Sequence, residues 1–157
     1  MNDAPQLVIA ESDQHFDEGK TLFQEYAASL DIDLAFQGFT KELETVRAQY
    51  GPPAGALVLV YVGEQVAGCA GVRKQGPEIA ELKRMYIKPE FRGYRIGRML
   101  LERSVSVAVD LGYKKIRLDT LASMTAARKL YEAFGFEIIP AYYPNPHADA
   151  IYMEKVL

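Results

Sequence analysis

Several protein classes are excluded by what this chain lacks. Cys69 is the only cysteine in 157 residues, so no intrachain disulfide can form and a reducing compartment is the simpler setting. The two histidines stand far from it and from each other, which leaves no zinc site of the usual ligands; no metal is expected. No stretch approaches the ~20 apolar residues that span a bilayer. The opening MNDAPQLVIA has neither the basic flank nor the long apolar run of a signal peptide. A basic excess is missing too: 18 Lys and Arg face 21 Asp and Glu, a formal net charge of −3. That argues against a global nucleic-acid footprint, and no G-x-x-x-x-G-K-[ST] phosphate loop occurs. The expectation is a soluble, cytoplasmic protein with neither nucleic acid nor membrane among its partners.

What is present suits a globular protein: 49% hydrophobic and 25% charged residues, and a length that fits one domain, 1–157, with a sizeable core. LVIAE (7–11) reads as a strand. HFDEGKTLFQEYAASL (15–30) places Phe16, Leu22, Phe23, Tyr26 and Leu30 near one helical stripe. FTKELETVRAQY (39–50) reads as a second helix, stopped by Gly51-Pro52-Pro53. ALVLVYV and QVAGCAGVR flank Gly63-Glu64 as a hairpin. Cys69, in a run of small residues, reads as a buried structural thiol. IAELKRMYIK (79–88) is a third strand in that run. Its apolar residues do not alternate cleanly. A one-residue bulge near Lys83–Arg84 would put Leu82 and Met85 on one side; the alternative is a regular strand buried on both faces at one end.

GRMLLERSVSVAVDLGY (97–113) is the clearest helix, with Leu100, Leu101, Val105, Ala108 and Leu111 on a wide apolar face and Gly112 as its cap. KKIRLDT (114–120) is a strand. SMTAARKLYEAFGF (123–136) is a helix with Ala127, Leu130, Tyr131 and Phe134 on one stripe. FEII and AIYMEKVL are terminal strands around the loop PAYYPNP. The order is strand, two helices, three strands, helix, strand, helix, two strands: one α/β domain of the mixed α+β kind.

Charge is distributed unevenly. Residues 83–98 hold Lys83, Arg84, Lys88, Arg92, Arg95 and Arg98 against one acid, Glu90. Three of these arginines sit in FRGYRIGRML (91–100), where a turn feeds a helix. Positive charge at a helix start opposes the helix dipole at roughly 0.3–1 kcal/mol per charge. Such a breach of a local rule is expected at a functional site. The turn also offers backbone N–H groups with no intrahelical partner. A bound polyanion, most simply a pyrophosphate, would account for both; a solvated basic loop is the other reading.

The strand end I-K-P, the turn R-G-Y-R-I-G-R-M-L-L and the later K-L-Y-E-A-F-G-F together resemble the GNAT superfamily of N-acetyltransferases, over roughly residues 57–140. The resemblance implies a single N-acetyltransferase domain with a central, twisted, mostly antiparallel sheet whose fourth and fifth strands splay apart. It implies acetyl-CoA as cosubstrate, its pyrophosphate held by the turn Arg92, Gly93, Tyr94, Arg95, Ile96, Gly97 and Arg98. The pantetheine arm would pair with the backbone of Met85, Tyr86 and Ile87 in the gap. Two positions depart from the family pattern. Arg95 replaces a glycine and is expected either at helical φ, near −63°, or with its side chain swung outward. Met124 replaces a common asparagine, leaving Ser123 to supply any side-chain bond to the cofactor arm.

Amine acetylation by a thioester needs a neutral amine, an N–H donor for the oxyanion and a proton for the leaving thiolate. The resemblance places Tyr131 beside the sulfur as general acid; without it, a core tyrosine would be favoured. Glu81 is the candidate base, through water, or else a surface carboxylate paired with Lys83; Glu78 is a weaker candidate. The oxyanion donor would be a backbone N–H near Met85, Tyr86 or Ile87. Tyr26, Asp31, Asp33, Phe36, Phe39, Tyr142 and Tyr143 fall in segments that line the acceptor pocket in similar proteins. The acceptor would be a primary amine of a small molecule or of an exposed protein site. A homodimer is open as the assembly. The competing reading is a non-catalytic acyl-CoA-binding or regulatory module on the same fold.

Overall fold

The computed structural model describes residues 4–30, 34 and 38–157. Asp31, Asp33 and Phe36 therefore lie outside the described residues. The elements are β1 (Pro5–Ile9), α1 (Asp13–Ser29), α2 (Phe39–Glu44), α3 (Val46–Gln49), β2 (Ala56–Val62), β3 (Gln65–Gly76), β4 (Ile79–Ile87), α4 (Ile96–Asp110), β5 (Lys115–Leu121), α5 (Thr125–Ala133), β6 (Glu137–Ile139) and β7 (Ala150–Val156). The expected single helix over 39–50 is two short ones. Thr45 leaves helical geometry (φ −122°, ψ 26°) and its hydroxyl bonds back to the Lys41 carbonyl, the competition that makes threonine a weak interior helix residue.

The strands form one seven-stranded sheet in the order β1-β2-β3-β4-β5-β7-β6. Every neighbouring pair is antiparallel except β4 and β5, which are parallel and meet only over Ile79–Glu81 against Lys115–Arg117. Beyond Glu81 the two strands part, as expected of a splayed pair.

Alternation along the strands sends side chains to two separate cores. Val58, Val60, Ala70 and Leu82 pack with Leu100, Leu101 and Ala108 of α4 on one face. Leu57, Leu59, Cys69 and Tyr86 pack with Phe16, Leu22 and Phe23 of α1 and with Tyr50 on the other. The small residues of β3 have a cause here: a Cβ on Gly71 would come within 2.5 Å of the Tyr50 ring. Tyr50 thus lies flat on the strand, fully buried, with its hydroxyl donating to Glu42 Oε2 at 3.0 Å.

The bulge in β4 occurs where the broken alternation indicated. Gly71 pairs with Lys83 and Cys69 with Tyr86, so Arg84 and Met85 together face Ala70. Arg84 takes a left-handed conformation (φ 58°) to make the extra step. The shift in phase puts Leu82 and Met85 on the α4 side and swings Lys83 and Arg84 toward the other. At roughly 1–2 kcal/mol for a non-glycine residue in this region, the bulge is a costly feature.

Candidate active site

The splay opens a groove of about 700 Å³ between β4 and α5. Of the residues expected at a cofactor site, Met85, Tyr86, Ile87, Arg92, Gly97, Ser123 and Met124 line it. The edge of β4 facing β5 has no strand partner past Glu81, so its backbone groups there can bond an extended ligand. One end of the groove meets the start of α4. That helix has no side-chain cap and no acidic residue in its first turn. Its first intrahelical bond runs from the Met99 N–H to the Arg95 carbonyl, which leaves the N–H groups of Ile96, Gly97 and Arg98 for another acceptor. This cradle fits a pyrophosphate: free amides, exposed arginines and no acidic residue in the helix's first turn.

The arginine cluster is smaller than its sequence suggested. Lys83 and Arg84 do not reach the turn; the bulge sends Lys83 to Asp119 (3.1 Å) and Arg84 to Glu42, with Nε to Oε2 at 3.0 Å and Nη2 to Oε1 at 2.9 Å. Lys88 lies 3.7 Å from Glu25. Arg98 turns along its helix to Glu102 (3.2 Å) and over the Phe134 ring. Arg92 and Arg95 form no ion pair among the described residues and are exposed. Ile96 points into the core, so only its amide can serve the site; Gly93 and Tyr94 lie on the outer turn. Arg95 does not keep helical φ. It is the N-cap residue of α4 at φ 61°, ψ 23°, the left-handed geometry a glycine would take. Ser123 and Met124 precede α5, with Met124 at its N-cap and the Thr120 hydroxyl donating to its sulfur at 3.4 Å.

At its inner end the groove meets a smaller chamber of about 100 Å³; Tyr26, Leu30, Met85, Met124 and Ala127 line both. Tyr131 of α5 is buried and lines the chamber. Its ring packs against Phe136, and its hydroxyl makes no hydrogen bond among the described residues. Burial, with smaller contributions from Tyr26 and Asp119, pushes the phenol well above its ordinary 10. It is therefore a protonated donor at any physiological pH.

The chamber floor is charged. Lys83, Arg84 and Asp119 all face it, and Tyr143 donates to Asp119 Oδ2 at 2.6 Å. Burial lowers the Lys83 ammonium's pKa from 10.5 although Asp119 and Glu81 oppose it. Glu81 is buried but lies outside the chamber. It pairs with Arg73 (3.0 Å), not Lys83, and accepts from the Tyr142 hydroxyl at 2.7 Å. It lines a separate cleft with Gln49, Arg73 and Gln75. Glu78 is exposed at φ 61° in the turn before β4. Tyr142, Tyr143 and Tyr152 stack edge to face, with centroids 5.1–5.5 Å apart. Asn145 and His147 from the same loop reach the chamber wall. Cys69 is buried and donates to the Arg84 carbonyl, and burial drives its thiol far up, so it is the structural thiol the small-residue run implied. Among the described residues no cluster could hold a metal, and no helix is long and apolar enough to cross a membrane.

Sequence reasoning missed Asp119 and misplaced Lys83 and Arg84. One acid in KKIRLDT looks like the solvent side of an alternating strand, and only the splay turns that side into a chamber.

A strand edge that can pair with amides, an anion cradle at one end and a buried phenol at the other define an enzyme class, the acyltransferases that use a long phosphorylated thioester. Comparison with known proteins agrees. Residues 20–136 match the acetyltransferase (GNAT) family. An uncharacterised N-acetyltransferase of Schizosaccharomyces pombe is 37% identical over 142 residues, covering 89% of this chain and 87% of that protein. Another, from Dictyostelium discoideum, is 28% identical and covers 94% of this chain and 97% of that one. The fold matches a crystal structure of an acetyltransferase from Streptococcus agalactiae with a TM-score of 0.78 at 24% identity, over 98% and 99% of the two chains. The chain belongs to the GNAT family and is an acetyl-CoA-dependent N-acetyltransferase.

Proposed function

We propose that residues 1–157 act as one N-acetyltransferase domain, in a cytoplasmic setting, that acetylates a primary amine of a small molecule by direct attack, with Tyr131 as general acid. Acetyl-CoA, when bound, supplies the activated acetyl group. The free amides at the start of α4 and the exposed Arg92 and Arg95 hold its pyrophosphate. The open edge of β4 at Met85–Ile87 orients its arm and offers an N–H to the developing oxyanion. Tyr131 gives its hydroxyl proton to the departing sulfur and recovers one from the nitrogen. A second proton, lost by the ammonium before attack, goes to water. Glu81 enters this reading as a base acting through water, since it does not line the chamber.

One observation carries the assignment of Tyr131: a hydroxyl on a buried side chain that lines the chamber and bonds to no described residue. A tyrosine used for packing alone has no need of a hydroxyl on the chamber wall, where phenylalanine would pack as well. Tyr131→Phe is the test. Turnover should fall ~10²–10⁴-fold while acetyl-CoA affinity, measured by calorimetry, stays within a small factor. Turnover near the wild-type level would return Tyr131 to the core.

A further inference from the structure

Resting on the acetyltransfer reading above, we propose that the acceptor is a small zwitterionic amine, with a carboxylate on the carbon that bears the amino group, and that Lys83 and Asp119 select it. Lys83 Nζ and Asp119 Oδ1 lie 3.1 Å apart, with side chains only 4% and 13% exposed. They stand on β4 and β5 just beyond the point where those strands stop pairing. Both face the chamber that Tyr131 lines. The ammonium and carboxylate of an α-amino acid are separated by roughly the same distance as this pair, so each ligand charge meets its opposite on the wall.

The charge balance of the wall points the same way. Among the described residues the chamber's charged lining is Lys83, Arg84 and Asp119, and Glu42 behind the wall pairs with Arg84. An alkylammonium ion could meet Asp119 but would set its charge beside the Lys83 ammonium 3.1 Å away, with nothing to offer it. A zwitterion brings no net charge and satisfies both signs. Repulsion of the simple amine is then as much a part of selection as attraction of the carboxylate. The chamber's size supports a small acceptor, since about 100 Å³ is well below the ~300–1,000 Å³ of ordinary ligand pockets. A protein N-terminus has an amide where the free amino acid has its carboxylate and brings no anion to Lys83.

The pair has another conceivable use, as a brace across the parted strands. Apolar residues of similar volume often do that work as well as or better than a buried ion pair. A brace would also leave acceptor preference unchanged, which makes preference the decisive readout.

The experiment is a steady-state assay of CoA release with matched acceptors: alanine, phenylalanine and aspartate, each beside its decarboxylated amine, its methyl ester and a dipeptide with the same N-terminal residue. The wild type is expected to favour the best free amino acid over its carboxylate-free partners by at least ~10² in kcat/KM, as for sites built to bond a polar group that the rival lacks. Lys83→Met should bring that ratio to within about tenfold, while acetyl-CoA affinity holds. If that variant does not fold, the double variant Lys83→Met/Asp119→Leu, which removes both charges, should show the same collapse. Equal or better turnover of the carboxylate-free amines by the wild type overturns the inference and leaves N-acetyltransfer standing. So does an unchanged ratio in a folded variant. Acetyl-CoA binding with no acceptor in the panel acetylated also overturns it. Failure to bind acetyl-CoA at all would instead bring down the reading on which it rests.

Discussion

Arg95 offers a test in which stability and binding should move in opposite directions. The residue is held at φ 61°, ψ 23° as the N-cap of α4. An L-residue in that region costs about 1–2 kcal/mol. Arg95→Gly removes the strain, but glycine gains freedom in the unfolded chain, an offset of about 0.5–1 kcal/mol. The net gain is roughly 0–1.5 kcal/mol. At about 2–4 °C per kcal/mol for a domain of this size, Tm should rise by up to about 6 °C. Arg95→Ala keeps the strain and should show no such rise. Both variants lose the guanidinium equally, and an exposed charge-assisted contact is worth no more than about a tenfold change in affinity. Acetyl-CoA binding by calorimetry should therefore weaken by up to about tenfold in both, with the loss shrinking as salt rises. A larger loss for acetyl-CoA than for dephospho-CoA would place the side chain on the 3′-phosphate; equal losses would place it on the pyrophosphate. A glycine variant less stable than the alanine variant would refute the backbone argument. Unchanged affinity in both would refute the ligand role.

Burial alone would raise the Glu42 pKa, but the bonds and charge of Arg84, with Arg73 and Tyr50, outweigh it and hold it below 4.5. Its stabilisation is thus complete above the unfolded value and is lost as pH falls through the lower folded one. Glu42→Gln should cost about 3–5 kcal/mol at pH 7 by stranding Arg84, and acid unfolding curves should show the gap to wild type closing below about pH 4.5. Gly97→Ala should gain helix propensity of about 0.8–1 kcal/mol. Its Cβ would lie 3.3 Å from Ile87 Cδ1, so calorimetry should show weaker acetyl-CoA binding as Ile87 is pushed into the groove. Glu81→Gln should lower kcat ~10²–10⁴-fold with unchanged acetyl-CoA affinity if the carboxylate is the base; a lower Tm with kcat intact would make Glu81 a structural partner of Arg73 and Tyr142.

The sequence made the elements legible because their signals are local. Periodicity set α1, α4 and α5; the Gly63-Glu64 turn set the hairpin; broken alternation around Lys83–Arg84 announced the bulge. The turn from Arg92 to Gly97 and the Leu-Tyr-x-x-x-Gly-Phe run indicated the cofactor groove. What failed was tertiary. Lys83 and Arg84 counted as neighbours of Arg92 by sequence distance, yet one extra residue in β4 faces them toward Glu42 and Asp119. For Arg95 the sequence left helical φ or an outward-swung side chain open, and the turn takes left-handed geometry although arginine pays for it. Tyr142 and Tyr143 were legible as aromatic but not as donors to Glu81 and Asp119, whose strands are joined to theirs only through the fold.

The three-rung ladder between β4 and β5 ties this protein's lifetime to its cosubstrate. Among the described residues, backbone bonds join the two halves of the sheet only over Glu78–Glu81 and Lys114–Arg117, so the seam is where partial opening should be cheapest, and hydrogen exchange should be faster there than in the β2–β3 hairpin. A ligand laid along the free edge of β4 binds only the closed arrangement. At a concentration a hundred times its Kd, such a ligand adds about 2.7 kcal/mol to the folded state. That is enough to change the unfolded fraction about a hundredfold. The amount of this enzyme that survives proteolysis should then rise and fall with the supply of acetyl-CoA, before any regulator acts on it.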